Sequence, residues 1–203
     1  MTGEELLRKL GEGERDLKGV RTPDGCNLSQ LENYDSVIDS LEGMSLADLR
    51  ENPYDLSYSY LRGLIAPKIF LPCVKAIGVI LAEAHLREAY LSEAKFPKAD
   101  LWGADLFEAY LRRADLRRAD LRRTGLCGAD LSCTNLIKAN LAGANIARAN
   151  LGESDIRGAK NLSEVVNLGH AHFRDTTVGE EERRICQEAY DRKKTSPLFN
   201  VIQ

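Results

Sequence analysis

The sequence predicts an all-β solenoid, and three observations carry that prediction. A small residue recurs every five positions, at Ala84, Ala89, Ala94 and onward to Ala159, with Thr124, Thr134 and Ser154 as its substitutes. Two positions after each small residue comes a large apolar one, from Leu86 and Leu91 through Leu151 and Ile156; only the last unit, with Asn161, breaks the rule. Hydrophobic residues make up 43% of the chain but aromatic residues only 6%, so the core must be built from aliphatic side chains. A five-residue period fits neither the 3.6-residue turn of a helix nor the alternation of a strand. On a helix each step would rotate about 140° and smear leucine over every side. The pattern requires a chain that turns a corner every five residues, with the large and small residues pointing to a common axis.

The position between small and large is often Asp or Asn, as at Asp100, Asp105, Asp115, Asp120, Asp130 and Asn135 to Asn150. Units such as Ala99-Asp100-Leu101-Trp102-Gly103 and Ala114-Asp115-Leu116-Arg117-Arg118 resemble the A(D/N)Lxx motif of the pentapeptide-repeat family. The resemblance implies a right-handed quadrilateral β-helix with four pentapeptides to each coil. Strict repeats cover 84–162. The phase extends backward through Leu56, Leu61, Ala66, Leu71, Ala76 and Leu81, so the expected β-helix spans 54–162. At Leu64/Ala66 and Val74/Ala76 large and small exchange places, which conserves interior volume. Pro67 and Pro72 exclude a helix there.

The flanks read as caps, an N-terminal helical lead-in over 1–53 and a C-terminal cap over 163–203. Thr2-x-x-Glu5 is a capping box ahead of Leu6, Leu7 and Leu10, with Gly11 or Gly13 as a stop. This lead-in, Gly3-Glu4-Glu5-Leu6-Leu7 through Leu17, is similar to N-termini of cyanobacterial pentapeptide-repeat proteins. Thr22-Pro23-Asp24-Gly25 is a turn. Short helices follow at 29–42 and at 45–51, the second capped by Ser45 and ended by Pro53. After the repeats, Leu162, Val165, Val166, Leu168 and Phe173 supply apolar cover, and a helix is expected over 178–193. Phe70, Ile65, Ile77 and Ile80 should point outward from the early coils, and the lead-in helices are expected to fold over them.

The sequence excludes more chemistry than it offers. No stretch is apolar enough to span a membrane. The acidic start is unlike a secretory signal, and five irregularly spaced Cys suggest reduced thiols, so a cytoplasmic location is expected. The net charge of −3 is not that of a nucleic-acid binder, and no nucleic-acid partner is expected. His85, His170 and His172 lack companion ligands at a recognised spacing, so no metal and no cofactor are expected. Cys127 and Cys133 fall on neighbouring sides rather than one coil apart. With no nucleophile elbow, phosphate loop or zinc signature, no enzyme is expected and no catalytic residue is assigned.

Residues twenty apart should stack, which picks out three outward features. Arg112, Arg113, Arg117, Arg118, Arg122 and Arg123 encircle three sides of one coil, with Lys98 and Lys138 below and above Arg118. Asp115, Asp120, Glu93 and Glu108 lie close enough to offset part of this belt. Trp102 lies one coil below Arg122, in position for a cation–π contact. Phe70, Tyr90 and Tyr110 form an aromatic ladder on one side. Residues 82–161 carry 13 basic and 11 acidic side chains, so the field is weak. The expected function is a non-catalytic scaffold for an unspecified protein partner, as a monomer or homodimer. The resemblance adds an alternative, since some family members mimic DNA and bind topoisomerases; that role needs acidic faces, which the arginine belt opposes. A regulatory role in differentiation, also implied by the family, leaves no residue signature.

Overall fold

The structure is a computed structural model that describes residues 1–194. From Asp55 onward the backbone forms parallel bridges between residues twenty apart: Asp55↔Lys75, Tyr60↔Ile80, Ile65↔His85 and Phe70↔Tyr90 begin four series that continue up the array. Each coil therefore has four bridged sides, called here A (at Asp55, Lys75, Lys95, Asp115), B (Tyr60, Ile80, Asp100, Asp120), C (Ile65, His85, Asp105) and D (Phe70, Tyr90, Tyr110). Each side holds a single bridging residue rather than an extended strand. The next residue is the inward Leu, two more make the corner, and the fifth is the inward Ala.

Local chemistry explains this path. The Asp or Asn on a side accepts the N–H of the residue two further on, as Asp100 Oδ1 does from Trp102 (3.1 Å) and Asn150 Oδ1 from Gly152 (3.0 Å). Such bonds are the ordinary turn chemistry of these side chains. The second corner residue then enters the left-handed region, at φ 60° for Lys98, 58° for Arg118 and 60° for Lys138. A non-glycine residue there costs about 1–3 kcal/mol and persists only where its surroundings fix it. They do so here, because its N–H donates to the coil above, as from Arg118 to Ile137 O (3.0 Å).

The axis is dry and aliphatic. Leu101, Leu106, Leu111, Leu116 and Leu121 are fully buried, as are the alanines between them. The exchanged pairs Leu64/Ala66 and Val74/Ala76 are buried as well. Thr124 and Ser154, at small positions, satisfy their hydroxyls on Leu101 O (2.9 Å) and Leu151 O (2.6 Å).

Both ends depart from the expected boundaries. Residues 16–27, expected within a helical lead-in, supply three sides of a first coil through Asp16↔Asp55, Arg21↔Tyr60 and Asn27↔Ile65. Leu17 and Leu28 take the inward positions, and Gly19 and Gly25 turn corners at φ 65° and 69°. The lead-in helices are α1 (Gly3–Gly11), α2 (Tyr34–Glu42) and α3 (Leu46–Glu51). Thr2 and Ser45 cap α1 and α3, accepting from Glu5 N and Asp48 N at 3.1 Å each. Leu6, Leu7 and Leu10 of α1 are buried in the same core as the axis. At the other end the coil continues past 162 to Thr177, through Asn145↔Val166, Asn150↔His172 and Asp155↔Thr177. Its last steps are one residue longer and run through the 3-10 turns Leu162–Glu164 and Leu168–His170. α4 (Glu180–Lys194) packs on the second of these turns. Of the expected C-terminal cap, residues 195–203 lie outside the described residues.

The four outward apolar residues of the early coils do not make one patch. Ile65 is on side C above the first coil, Phe70 on side D, Ile80 on side B, and Ile77 on the corner between A and B. Phe70 is half-buried against the core, whereas Ile77 stays exposed. In a twenty-residue coil, five positions along the chain is a quarter turn.

Two substitutions test this register. Leu116→Ala should cost about 2–5 kcal/mol in urea denaturation, as large-to-small core changes do. Arg148, at φ 59°, is an exposed corner; Arg148→Val should lose about 1–2 kcal/mol, and Arg148→Asn much less.

Candidate interaction surfaces

The arginines sit on the corners, where the two residues of each unit that leave the axis are free, while the sides of the strict repeats hold mostly the Asp and Asn that make the turns. The arginine belt occupies three of four corners: Arg112 and Arg113 between D and A, Arg117 and Arg118 between A and B, Arg122 and Arg123 between B and C. All six are exposed. Half of them are already engaged. Arg117 forks onto Asp115 (2.8 and 2.6 Å) and Arg122 onto Asp120 (2.8 and 2.6 Å), each reaching back two residues to the carboxylate that also makes the turn. Arg113 stands 3.9 Å from Glu93. Among the described residues, Arg112, Arg118 and Arg123 have no ion pair, and neither do Lys98, Lys138 or Glu108.

What remains of the belt is a column. Lys98, Arg118 and Lys138 stack on the A–B corner, held in register by Asp100↔Asp120 and Asp120↔Asn140 beside them. The corner diagonally opposite, between C and D, carries Glu88 and Glu108 on successive coils. The cross-section is therefore polarised although the segment is nearly neutral.

The expected contact of Arg122 with Trp102 is absent. Arg122 is committed to Asp120, and the cation–π contacts involve Arg15 on Tyr54 (4.0 Å), Arg21 on Tyr60 (5.7 Å) and Arg87 on Phe107 (4.2 Å). The Arg87 pair stacks on the C–D corner between successive coils, away from the arginine belt.

On side D, Phe70 and Tyr90 have ring centroids 5.6 Å apart, and Tyr90 and Tyr110 stack at 4.6 Å with planes 15° apart. Tyr90 and Tyr110 are 36% and 43% exposed, so the ladder emerges from beneath the helices as it climbs. Two contacts hold the helices here: Tyr34 donates to Pro67 O (2.6 Å), and Arg50 donates from Nε to Glu93 (2.7 Å).

Among the described residues no group of three or more His, Cys, Asp or Glu is placed to hold a metal ion. His85, His170 and His172 are exposed, and all five cysteines are free. Burial pushes the Cys186 thiol up to about 11 and raises those of Cys26 and Cys73, which makes them poor nucleophiles. No helix among the described residues is long and apolar enough to cross a membrane.

A stack of twenty-residue coils with an Ala–Leu axis and charged corners defines a class of repeat protein. The family model for pentapeptide repeats matches eight copies over residues 84–123 and 123–158, so this stretch of the chain is an array of pentapeptide repeats. It is similar to a solved pentapeptide-repeat protein of the Arabidopsis thaliana thylakoid lumen (27% identity, 54% of this chain and 72% of that one, TM-score 0.43). It is also similar to HetL of the cyanobacterium Nostoc sp. strain PCC 7120, involved in heterocyst differentiation regulation (20%, 87% and 94%, TM-score 0.47). A third similar structure is QnrB1, a plasmid-mediated fluoroquinolone resistance protein (13%, 86% and 82%, TM-score 0.35). No curated protein matches.

The charge pairs set an acid limit. The hydrogen bond from Arg50 holds the Glu93 carboxyl below its usual range, and those from Arg122 and Arg157 do the same for Asp120 and Asp155. Groups whose folded values are depressed stabilise the fold fully above their unfolded values, about 4.3 for Glu and 3.9 for Asp, and lose that contribution as pH falls through the folded ones. The urea midpoint should hold from pH 7 to about pH 4.5 and then fall. In Glu93→Gln the fall should be shallower; an identical slope would show that the Arg50–Glu93 contact contributes nothing.

Proposed function

We propose that the protein is a non-catalytic, cytoplasmic interaction scaffold, a right-handed quadrilateral β-helix that presents its A–B corner to an acidic surface on a partner protein. The observation that carries this reading is the column Lys98, Arg118 and Lys138, three stacked cations without carboxylate partners, beside a belt in which Arg113, Arg117 and Arg122 already face carboxylates. An ion pair formed with a partner would there replace solvent rather than an existing intramolecular contact. Successive coils put the cations about 4.8 Å apart, a rigid row held by backbone bridges and not by loops. Three charges over roughly 10 Å suit a small acidic patch; they are too few for a phosphate backbone, whose affinity comes from many neutralised charges.

The reading predicts a charge-specific loss. Lys98→Glu, Arg118→Glu and Lys138→Glu together should abolish capture of acidic proteins from a host lysate while leaving the melting temperature near that of the native chain. Duplex DNA at physiological salt should bind neither form, and DNA gyrase supercoiling should be unaffected by the native protein. Capture of the same proteins by both forms would overturn the assignment of the corner, and inhibition of gyrase would favour DNA mimicry instead.

A further inference from the structure

Towards its C-terminal end, α2 runs against its own electrostatics. Its nine residues include Asp35, Asp39 and Glu42 and no basic side chain. Asp35 and Asp39 stand four apart, a like-charge pair that destabilises a helix. Glu42 occupies the last turn, at the negative end of the helix dipole, where a cation would be favourable. None of the three forms an ion pair among the described residues. Asp35 suits the first turn, but Asp39 and Glu42 gain nothing from the fold, because α2 is held by the buried Tyr34, Val37, Ile38 and Leu41.

These carboxylates overlook a groove of about 410 Å³ between α2 and Tyr90, the middle ring of the ladder. Ile38, Pro67 and Tyr90 give it apolar walls, and Glu88 adds a fourth carboxylate. Its one cation, Lys68, is already 3.6 Å from Glu88. Burial, then the Tyr110 hydroxyl and the Glu42 carboxylate, push the Tyr90 phenol up, so that ring stays neutral within a negative field. The groove opens onto the Tyr90–Tyr110 stack, and Glu108 continues the acidic edge one coil further. Tyr90 lies between Phe70 and Tyr110 and so turns its exposed edge, not a free face, to the groove. Unpaired carboxylates beside an apolar aromatic wall suit a guanidinium, which packs along the rings and forks onto the acids. The run of ring and carboxylate over two coils exceeds one side chain, which points to a peptide segment rather than a small cation.

We propose that the groove between α2 and the Tyr90–Tyr110 stack docks an arginine-bearing segment of a partner protein. The site lies on the C–D corner and side D, away from the cationic column, and does not depend on it.

The test uses the full chain and a fluorescent hexa-arginine peptide at physiological ionic strength, read by anisotropy. Asp39→Asn with Glu42→Gln should weaken binding at least about tenfold, and the same variant should melt no lower than the native protein, since it removes unfavourable helix charges. Tyr90→Leu, which keeps the apolar wall and removes the ring, should weaken binding several-fold. Glu180→Gln with Glu181→Gln, the same charge change on α4, should leave it unchanged. Equal weakening by both charge pairs would reduce the effect to net charge and overturn the proposal. Undiminished binding in the groove variants would also overturn it, as would a dimer in sedimentation that the Asp39/Glu42 variant loses, which would make a second copy the occupant.

Discussion

Everything in this structure depends on one backbone hydrogen bond repeated at each corner: the N–H of a left-handed residue donating to the carbonyl of the coil above. Glu93 donates to Arg112 O, Lys98 to Arg117 O and Arg113 to Ser132 O, at 2.8 to 2.9 Å. Without that bond an arginine, lysine or glutamate has no reason to adopt a positive φ, and the chain would straighten instead of turning. With it, the corner residue cannot point inward, so its side chain is free to be anything polar. The same bond that closes the coil thus assigns surface chemistry to two positions in five. It also explains why the corners, and not the sides, hold the belt and the free column.

The interior was legible in the sequence because it is periodic. Leu116 and Ala119 could be placed on the axis from spacing alone, and the early exchange at Leu64/Ala66 from the conservation of volume. The ends were less legible for a physical reason: insertions destroy phase without destroying pairing. Asp16-Leu17-Lys18-Gly19-Val20 is a full unit of the repeat, but Thr22 replaces the large residue in the next, and Pro23-Asp24-Gly25 adds a residue. Val166 sits one residue late and His172 two, for the same reason. A strict five-residue count stops at such places, whereas a backbone that can absorb one residue in a 3-10 turn does not.

The candidate surfaces divide along the same line. The aromatic ladder follows from a twenty-residue register, so it was visible in advance. The pairing inside the arginine belt depends on a carboxylate that already serves the turn two residues away, and only geometry shows that Arg117 and Arg122 turn back to it while Arg118 does not. Helix α2 lay beyond any register. That the lead-in would cover the early coils followed from their outward apolar residues, but the place of α2 against Pro67 and Tyr90 includes a hydroxyl-to-carbonyl bond thirty-three residues apart in sequence that no spacing announces.

The rigid quarter turn per repeat has a consequence for how such a molecule can change over time. In most folds an insertion of five residues makes a loop. Here it would rotate everything beyond it by one side about the axis, carrying α4 from one flank of the rod to the next relative to α2. An insertion of twenty would lengthen the rod by one coil, about 4.8 Å, and leave every surface facing as before. Two partners bound at opposite ends could thus be re-aimed or spaced apart by units of sequence length alone, without altering a single residue that either one touches.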